Sequence, residues 1–222
     1  MTRGSETDDD DRVLLIAWRQ GDNLAGNRLL ERHFGTVVRF LRAAYRLQRA
    51  ELSELVQRTM LACVESKARI PDEVPFRVYL LGIARRLVAD TLREGYRAEA
   101  RARIVGPELS IASPSQIAAA REQERLLLRA LQRLTSELQV VVLLFYWEQL
   151  TCGEIATICD LATGTVKSRL RRAKEQLLLE MRALTPDEAL YRSTAHGLQR
   201  WALSLRAHLE TYEAHAAEPK VP

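Results

Sequence analysis

Apolar residues recur every three or four positions along most of this chain, which is the spacing of one face of an α-helix. This pattern predicts a short helix over residues 13–21, in which Ala17 and Trp18 face inward. Gly21-Asp22-Asn23 then breaks the pattern and supplies a cap for the next helix. The apolar stripe of that second predicted helix consists of Leu30, Phe34, Val37, Leu41 and Tyr45.

Two more helices and a loop complete a first predicted domain at residues 12–95. The third helix spans residues 51–66, and its inward residues are Leu52, Leu55, Val56, Thr59, Met60 and Cys63. A loop at 67–74 precedes Pro75, which is well placed to open a fourth helix that runs to about Arg93. The core face of the fourth helix consists of Phe76, Leu80, Ile83 and Leu87, and away from it lie Gly82, Arg86, Ala89 and Arg93. Four helices of this length can share one core.

The helical pattern decays after Gly95 and resumes near residue 122. Gly106-Pro107 and Ser113-Pro114-Ser115 interrupt it, so we expect a flexible linker over 96–121. A second domain is expected over 122–184, with Ser136 and Gln139 as a capping box for one of its helices. The remaining residues, 185–222, predict a C-terminal extension whose amphipathic helix has the stripe Leu198, Trp201, Leu205, Leu209 and Tyr212.

The second domain contains two short predicted helices with a tight turn between them, in residues 151–177. Thr151 and Glu154 form a capping box for the first helix, and Thr163 is the expected N-cap of the second. One side of the second helix is apolar, through Val166, Leu170, Ala173 and Leu177. At about 100° per residue the opposite face holds polar and cationic residues, flanked by Lys167 and Arg169; these are Gly164, Thr165, Ser168, Arg171 and Arg172. The pattern predicts a helix-turn-helix that places its second helix in a DNA groove.

A helix rich in lysine and arginine is more often an ordinary solvated surface than a DNA-binding one. Two features favour DNA here. Residues 163–174 carry five cations and no acid, and a capped partner helix precedes them at the right distance. The helix-turn-helix by itself predicts DNA binding without distinguishing a repressor, an activator or another factor.

Composition supports an all-α fold in a chain of 222 residues. Only ten glycines and seven prolines interrupt it, and 6% of the residues are aromatic. The net charge is +4, but the first 11 residues form an acidic run that we expect to be a disordered N-terminus.

Cysteine content and apolar runs predict a cytoplasmic protein without membrane insertion. Three cysteines form an odd, sparse set that is typical of a reducing compartment, and no apolar run reaches the roughly 18 residues of a membrane span. Cys152 and Cys159 are best interpreted as packing residues, with metal binding or redox sensing as the alternative. No enzyme motif is present, so we expect no catalytic residue, no cofactor and no metal site.

Three segments in order resemble the extracytoplasmic-function sigma factors of bacteria, a branch of the sigma-70 family. They are residues 51–60, which are similar to the acidic polymerase-binding signature of that family, residues 75–93, and residues 164–174. The last two are similar to the helices that read the minus-ten and minus-thirty-five promoter elements. The resemblance covers residues 12–183 and implies that 12–95 is sigma region 2 and 122–184 is sigma region 4.

The resemblance also implies a role for individual residues. Polymerase binding falls to Glu51, Glu54, Leu55, Gln57 and Arg58. The minus-ten element, including an unstacked base at the 67–74 loop, falls to Lys67, Arg69, Arg77, Tyr79, Arg85, Arg86 and Arg93. The minus-thirty-five element falls to Gly164, Thr165, Lys167, Ser168, Arg169, Arg171 and Arg172.

The function expected from these features is that of a bacterial transcription initiation factor. It would bind core RNA polymerase and promoter DNA and assist promoter melting, and the family is often held inactive by an anti-sigma protein. Two alternatives stay open at the level of the sequence. One is a stand-alone helix-turn-helix regulator, and the other is a sigma-like decoy without melting activity.

Overall fold

A computed structural model describes residues 3–45, 49–99 and 122–196, and every regular element in these ranges is helical. The first four α-helices are α1 (Arg3–Arg19), α2 (Asn23–Ala44), α3 (Arg49–Glu65) and α4 (Phe76–Glu99), with a 3-10 turn at Lys67–Arg69. The next five are α5 (Glu122–Gln132), α6 (Ser136–Val142), α7 (Cys152–Cys159), α8 (Thr163–Leu184) and α9 (Glu188–His196). A single π-helical turn, Leu143–Trp147, continues α6. None of the helices described is long and apolar enough to cross a membrane.

The chain divides into two compact units. The first unit contains nearly all of α1 to α4 and the segment Ala156–Leu161, and the second contains most of the remaining helices. In the first unit, α3 packs against α4, and α1 contacts α4 and the 3-10 turn. The core of this unit is built from apolar side chains of all four helices, including Trp18, Leu29, Leu41, Leu55, Cys63, Leu80, Leu81 and Val88.

The acidic N-terminal run lies in a helix, which corrects the expectation of a disordered segment for residues 3–11. Asp11 is only 1% exposed, and its carboxylate accepts hydrogen bonds from Arg32 at 2.7 Å and contacts His33 Nε2 at 2.5 Å. A carboxylate can be buried when it is paired and hydrogen-bonded in this way. The partners of Asp11 on α2 therefore explain why the acidic run joins the fold.

The buried stripe of α2 differs from the predicted one. Phe34 is 50% exposed, whereas Leu29 and Val37 are fully buried and His33 is 5% exposed. His33 occupies a core position because it pairs with Asp11 and lies 5.5 Å from the ring of Phe76. Because this core position holds a polar residue, the apolar pattern of the sequence pointed to the neighbouring Phe34 instead.

In the second unit, α5 and α6 pack against α8, and α9 contacts both α5 and α8. The buried residues of the unit include Leu127, Leu128, Leu131, Val141, Leu144, Val166, Ala173, Leu177 and Met181. The helix predicted from the stripe Leu198 to Tyr212 lies outside the described residues, as do residues 100–121 of the predicted linker. Residues 96–99, which we expected in the linker, extend α4 instead.

The capping box predicted at Ser136 and Gln139 is wrong. Thr135 occupies the N-cap position of α6, and its carbonyl accepts the backbone N–H groups of Leu138 and Gln139. The Gln139 side chain is buried, and its amide donates to the carbonyls of Leu131 at 2.7 Å and Leu134 at 2.8 Å. Gln139 therefore gives a donor to the Leu134 carbonyl just after α5 and a second donor to the Leu131 carbonyl, which also accepts the Leu134 N–H at 3.1 Å.

Candidate nucleic-acid interface

Helices α7 and α8 are separated by three residues, 160–162. The capping box predicted at the start of α7 is confirmed: Thr151 N–H donates to Glu154 Oε2 at 2.7 Å, and Glu154 N–H donates to Thr151 Oγ1 at 3.2 Å. Asp160 has a φ of 52°, a left-handed conformation that aspartate adopts more readily than most residues. The sharp turn at Asp160 lets the second helix start at once, as a helix-turn-helix requires.

The start of α8 needs no side-chain cap, which corrects the prediction for Thr163. Ala162 occupies the cap position, and Thr163 is the first helical residue. The Ala162 carbonyl accepts the N–H groups of Thr165 at 2.9 Å and Val166 at 3.2 Å. The backbone alone therefore begins this helix.

Most of the residues predicted to face DNA lie on the exposed side of α8. Val166, Ala173 and Leu177 are buried as predicted, Leu170 is half-buried, and the stripe continues to Met181. Thr165 is half-buried, and the exposed residues of the predicted DNA face are Gly164, Lys167, Ser168, Arg171 and Arg172.

Two polar side chains on this face already have partners in the protein. Arg169 contacts Glu137 at the start of α6 at 2.8 Å, and its side chain is 23% exposed. The Ser168 hydroxyl donates to the Thr165 carbonyl at 2.9 Å. Arg171 lies 3.7 Å from Glu175, but both side chains are largely exposed, so this pair is weakly held. Arg171 and Arg172 are therefore better placed than Arg169 to contact DNA.

The loop between α3 and α4 combines exposed and buried residues. The 3-10 turn Lys67–Arg69 leaves Arg69 exposed, whereas Ile70 is 3% exposed and lies in the core. Lys67 is half-buried, with Nζ 5.5 Å from the centre of the Trp18 ring. Of the two cations predicted to contact phosphates here, Arg69 is the more accessible.

Arg19, at the end of α1, contacts this loop through all three guanidinium nitrogens, and sequence reasoning missed it. Nε donates to the Lys67 carbonyl at 3.2 Å, Nη2 donates to the Ile70 carbonyl, and Nη1 donates to Asp72 Oδ1 at 2.6 Å. The hydrogen bond from Arg19 holds the pKa of the Asp72 carboxyl below its ordinary value. A groove of about 140 Å³ lies alongside, between α1 and residues 71–76. No sequence signal marks Arg19, because its partners lie about 50 residues away.

The cationic residues predicted on α4 do not share one face. Tyr79, Arg86 and Arg93 are seven residues apart, which places them on one side of the helix, two turns from each other. Arg77 and Arg85 project from other sides and are half-buried. Arg86 Nε donates to the Gly82 carbonyl at 3.2 Å, and the side chain of Arg93 lies outside the described residues.

Of the predicted polymerase-binding residues on α3, most lie at the surface and one lies in the core. Glu51, Glu54 and Gln57 are exposed, and Arg58 contacts Glu54 at 3.6 Å. Leu55 is 3% exposed, which corrects its assignment to the interface, because a side chain in the core cannot contact a partner.

The exposed face of α3 also continues toward the end of the helix, a feature that we did not predict. Its next members are Leu61, 58% exposed, and Val64, 41% exposed. These positions follow Glu54 and Gln57 at a spacing of three or four residues, so they lie on the same side of the helix.

None of the three cysteines, Cys63, Cys152 and Cys159, forms a disulfide bond. Burial raises the pKa of the Cys63 thiol to about 12, so it is uncharged at neutral pH. In the parts of the chain that the structure describes, no three histidine, cysteine or acidic residues lie together as a metal site would need.

Comparison with known proteins decides the family. The family model for sigma-70 region 4 matches residues 124–177, which include α6, α7 and much of α8. SigL of Mycobacterium tuberculosis, an ECF (extracytoplasmic-function) RNA polymerase sigma factor, is 34% identical over 145 residues, covering 61% of this chain and 77% of the relative. The chain belongs to the ECF sigma factors. An ECF sigma-E factor of Haemophilus influenzae is 28% identical over 177 residues, covering 75% of this sigma factor and 93% of the relative.

Two solved structures share the all-helical fold of this sigma factor. RpoE, in complex with the anti-sigma factor NepR from Bartonella quintana, has a TM-score of 0.58 at 19% identity, covering 70% of this chain and 96% of that chain. CnrH, in complex with the cytosolic domain of CnrY, has a TM-score of 0.57 at 20% identity, covering 79% and 99%. At these identities the likeness shows the fold, while the sequence relatives show that the protein binds RNA polymerase and directs it to promoters.

Proposed function

We propose that this sigma factor acts through three surfaces. The exposed face of α3 with Glu51, Glu54, Gln57 and Arg58 binds core polymerase. The 67–75 loop and the α4 face with Tyr79, Arg86 and Arg93 bind and help to melt the minus-ten element. The exposed face of α8 binds the minus-thirty-five element. The proposal makes residues 12–95 sigma region 2 and residues 122–184 sigma region 4.

The observation that carries the proposal is the exposed face of α8. Arg171 and Arg172 are exposed on the side opposite a buried stripe that fixes the orientation of the helix, and the exposed Lys167 flanks them. Thr165 and Ser168 supply hydroxyl groups on the same side. Cations neutralise phosphates, and arginine and hydroxyl side chains read base edges in the major groove. The α8 surface therefore contains both kinds of group that specific DNA binding needs.

In this proposed function the polymerase carries out RNA synthesis. The sigma factor supplies recognition and strand capture, without a catalytic site, a cofactor or a metal of its own, and it works in the cytoplasm. An anti-sigma partner belongs to the same proposal, supported by the RpoE and CnrH complexes with NepR and CnrY. Loss of transcription when a candidate anti-sigma protein is added would identify that partner.

Run-off transcription with purified core polymerase on a library of promoter fragments tests the proposal. We expect discrete transcripts that require this protein and disappear in the double variant Arg171→Ala, Arg172→Ala. A matched control is Arg28→Ala, Arg129→Ala, which removes two exposed arginines that lie on α2 and α5, outside α8. Transcription should persist in that control.

Other results would contradict the proposal. Tight duplex binding without polymerase, combined with no transcripts, would favour the stand-alone regulator. Binding of core polymerase without transcripts from any promoter would favour the decoy. An equal loss of transcription in both double variants would show that the loss does not come from the α8 surface.

A further inference from the structure

The guanidinium group of Arg19 contacts the loop between α3 and α4 at three points. Its nitrogens donate to the carbonyls of Lys67 and Ile70 and to the carboxylate of Asp72. These contacts span six residues of the loop, and the Arg19 side chain is 24% exposed. Hydrogen bonds from a charged donor are stronger than neutral ones, and the planar fork of arginine fixes direction as well as distance.

Two backbone hydrogen bonds support the turns of this loop. Arg69 N–H donates to the Ser66 carbonyl at 2.8 Å, and Val74 N–H donates to the Pro71 carbonyl at 3.4 Å, which is long. The carbonyls of Lys67 and Ile70 accept their hydrogen bonds from Arg19 instead. The conformation of residues 67–72 therefore depends on a side chain of α1.

The end of α1 is itself rigidly placed. Trp18 is 4% exposed, and Gly26 of α2 leaves the space that its indole occupies. Gly21, with a φ of 106°, makes the turn into α2, where Asp22 Oδ1 accepts the N–H groups of Leu24 at 2.9 Å and Ala25 at 3.1 Å. Arg19 thus projects toward the loop from a fixed position.

We propose that Arg19 is a positioning residue that holds the 67–75 loop in the conformation that receives an unstacked base of the non-template strand. This inference rests on the proposed function of that loop. Extruding a base already costs a few kcal/mol, so a loop that also had to become ordered on binding would capture the base less well. The three donors of a lysine ammonium share one nitrogen, so a lysine at position 19 lacks the planar spread with which three guanidinium nitrogens reach three separate acceptors.

The test uses holoenzyme reconstituted with the wild-type sigma factor or with Arg19→Lys. Binding is measured by fluorescence anisotropy to minus-ten non-template oligonucleotides that carry one abasic site at each position in turn. For wild type we expect one position at which removing the base weakens binding by about tenfold or more. In Arg19→Lys we expect the loss at this position to shrink to about twofold or less, while the losses at other positions stay the same.

Two controls separate loop positioning from general damage. Arg28→Ala, which removes an exposed arginine from α2, should keep the wild-type profile. Affinity of Arg19→Lys for core polymerase should stay close to wild type, since the α3 surface is unchanged, and its circular dichroism should show the wild-type helical content. Asp72→Asn, which keeps both carbonyl contacts of Arg19, should show a profile between the two.

The outcomes that overturn the inference are distinct from those that overturn the proposed function. If the loss of binding at that abasic position is as large in Arg19→Lys as in wild type, Arg19 does not position the loop. An equal loss of binding at every position shows a general effect on the fold, which also overturns the inference. If no abasic position weakens the binding of the wild-type protein, the loop does not capture a base, and that part of the proposed function is wrong.

Discussion

Four arginines of this sigma factor lie in three different environments, and the environment decides the role that we propose for each. Arg171 and Arg172 are exposed on α8, where phosphates and base edges can reach them. Arg169 on the same helix contacts Glu137, and Arg19 contacts the loop of another element. Residue type alone assigned Arg169 and Arg171 the same role, whereas their contacts separate a largely structural arginine from an accessible one.

Gly164 distinguishes a DNA contact from a structural requirement. It is exposed in the first turn of α8, and a Cβ placed there meets no atom within 4 Å. We expect Gly164→Ala to leave stability unchanged or to raise it by up to about 1 kcal/mol, because alanine is the better helix former. If α8 approaches the DNA backbone closely at this position, the variant should lose binding to minus-thirty-five duplexes. Urea unfolding and anisotropy measure the two effects, and unchanged DNA binding would place Gly164 away from the DNA.

Gly26 is the second glycine with a testable role, because its lack of a side chain makes room for Trp18. A Cβ at Gly26 would overlap the indole ring. We expect Gly26→Ala to cost about 1–3 kcal/mol of unfolding free energy through overpacking. Gly35→Ala is the control on the same helix, since its Cβ would come no closer than 3.8 Å to Arg39 Nη1. Equal unfolding midpoints for the two variants in urea, followed by circular dichroism, would contradict this account.

At the scale of elements, the join between α5 and α6 depends on one buried side chain. The Gln139 amide donates to two carbonyls, and both would lose these bonds in Gln139→Met. The Leu131 carbonyl still accepts the Leu134 N–H at 3.1 Å, so the loss falls mainly on the Leu134 carbonyl, and we expect the variant to lose about 1 kcal/mol of stability. Ser136→Ala should change stability by less than about 0.5 kcal/mol, because the expected capping box is absent. Urea denaturation measures both changes in unfolding free energy, and a larger loss in Ser136→Ala would support the capping box after all.

Helix α9 is held to the second unit by contacts with α5 and α8 and by a charged cluster. Glu188 contacts Arg182 and Arg192, and these hydrogen bonds hold its pKa below the ordinary value of a glutamate. Because the folded-state pKa is the lower one, the contribution of this cluster is present at neutral pH. That contribution is lost as the pH falls through the lowered pKa of Glu188. Asp187 adds a cap, since its Oδ1 accepts the N–H groups of Ala189 and Leu190.

Two truncations separate α9 from the residues that follow it. Removing residues 187–222 deletes α9 and uncovers parts of α5 and α8, so we expect a melting temperature several degrees below wild type. Removing 197–222 keeps α9 and should have a smaller effect. Differential scanning calorimetry measures both, and equal melting temperatures would show that α9 contributes nothing. Run-off transcription with the same pair tests whether the extension also controls activity, and unchanged transcription in both would exclude such control.

At the scale of the whole molecule, the three surfaces that we propose for function are carried by two compact units. The first unit bears the proposed polymerase-binding face of α3 and the minus-ten surface, and the second bears the α8 surface. Sequence reasoning predicted the helices that carry these proposed surfaces, and the structure has helices at each of these places. Individual members were misplaced: Leu55 was assigned to a surface but lies in the core, and Arg77 does not share the helix face of Tyr79.

The sequence by itself determined the helical class, the family and the side of α8 that faces away from the core. These properties follow from helical spacing and from short motifs, which depend on residues close together in the chain. Only the tertiary structure decided that Asp11 joins the fold through His33, that Gln139 satisfies carbonyls near the end of α5, and that Arg19 contacts the 67–75 loop. In the Arg19 contacts the partners are about 50 residues apart, and their pairing depends on how helices pack rather than on any local pattern.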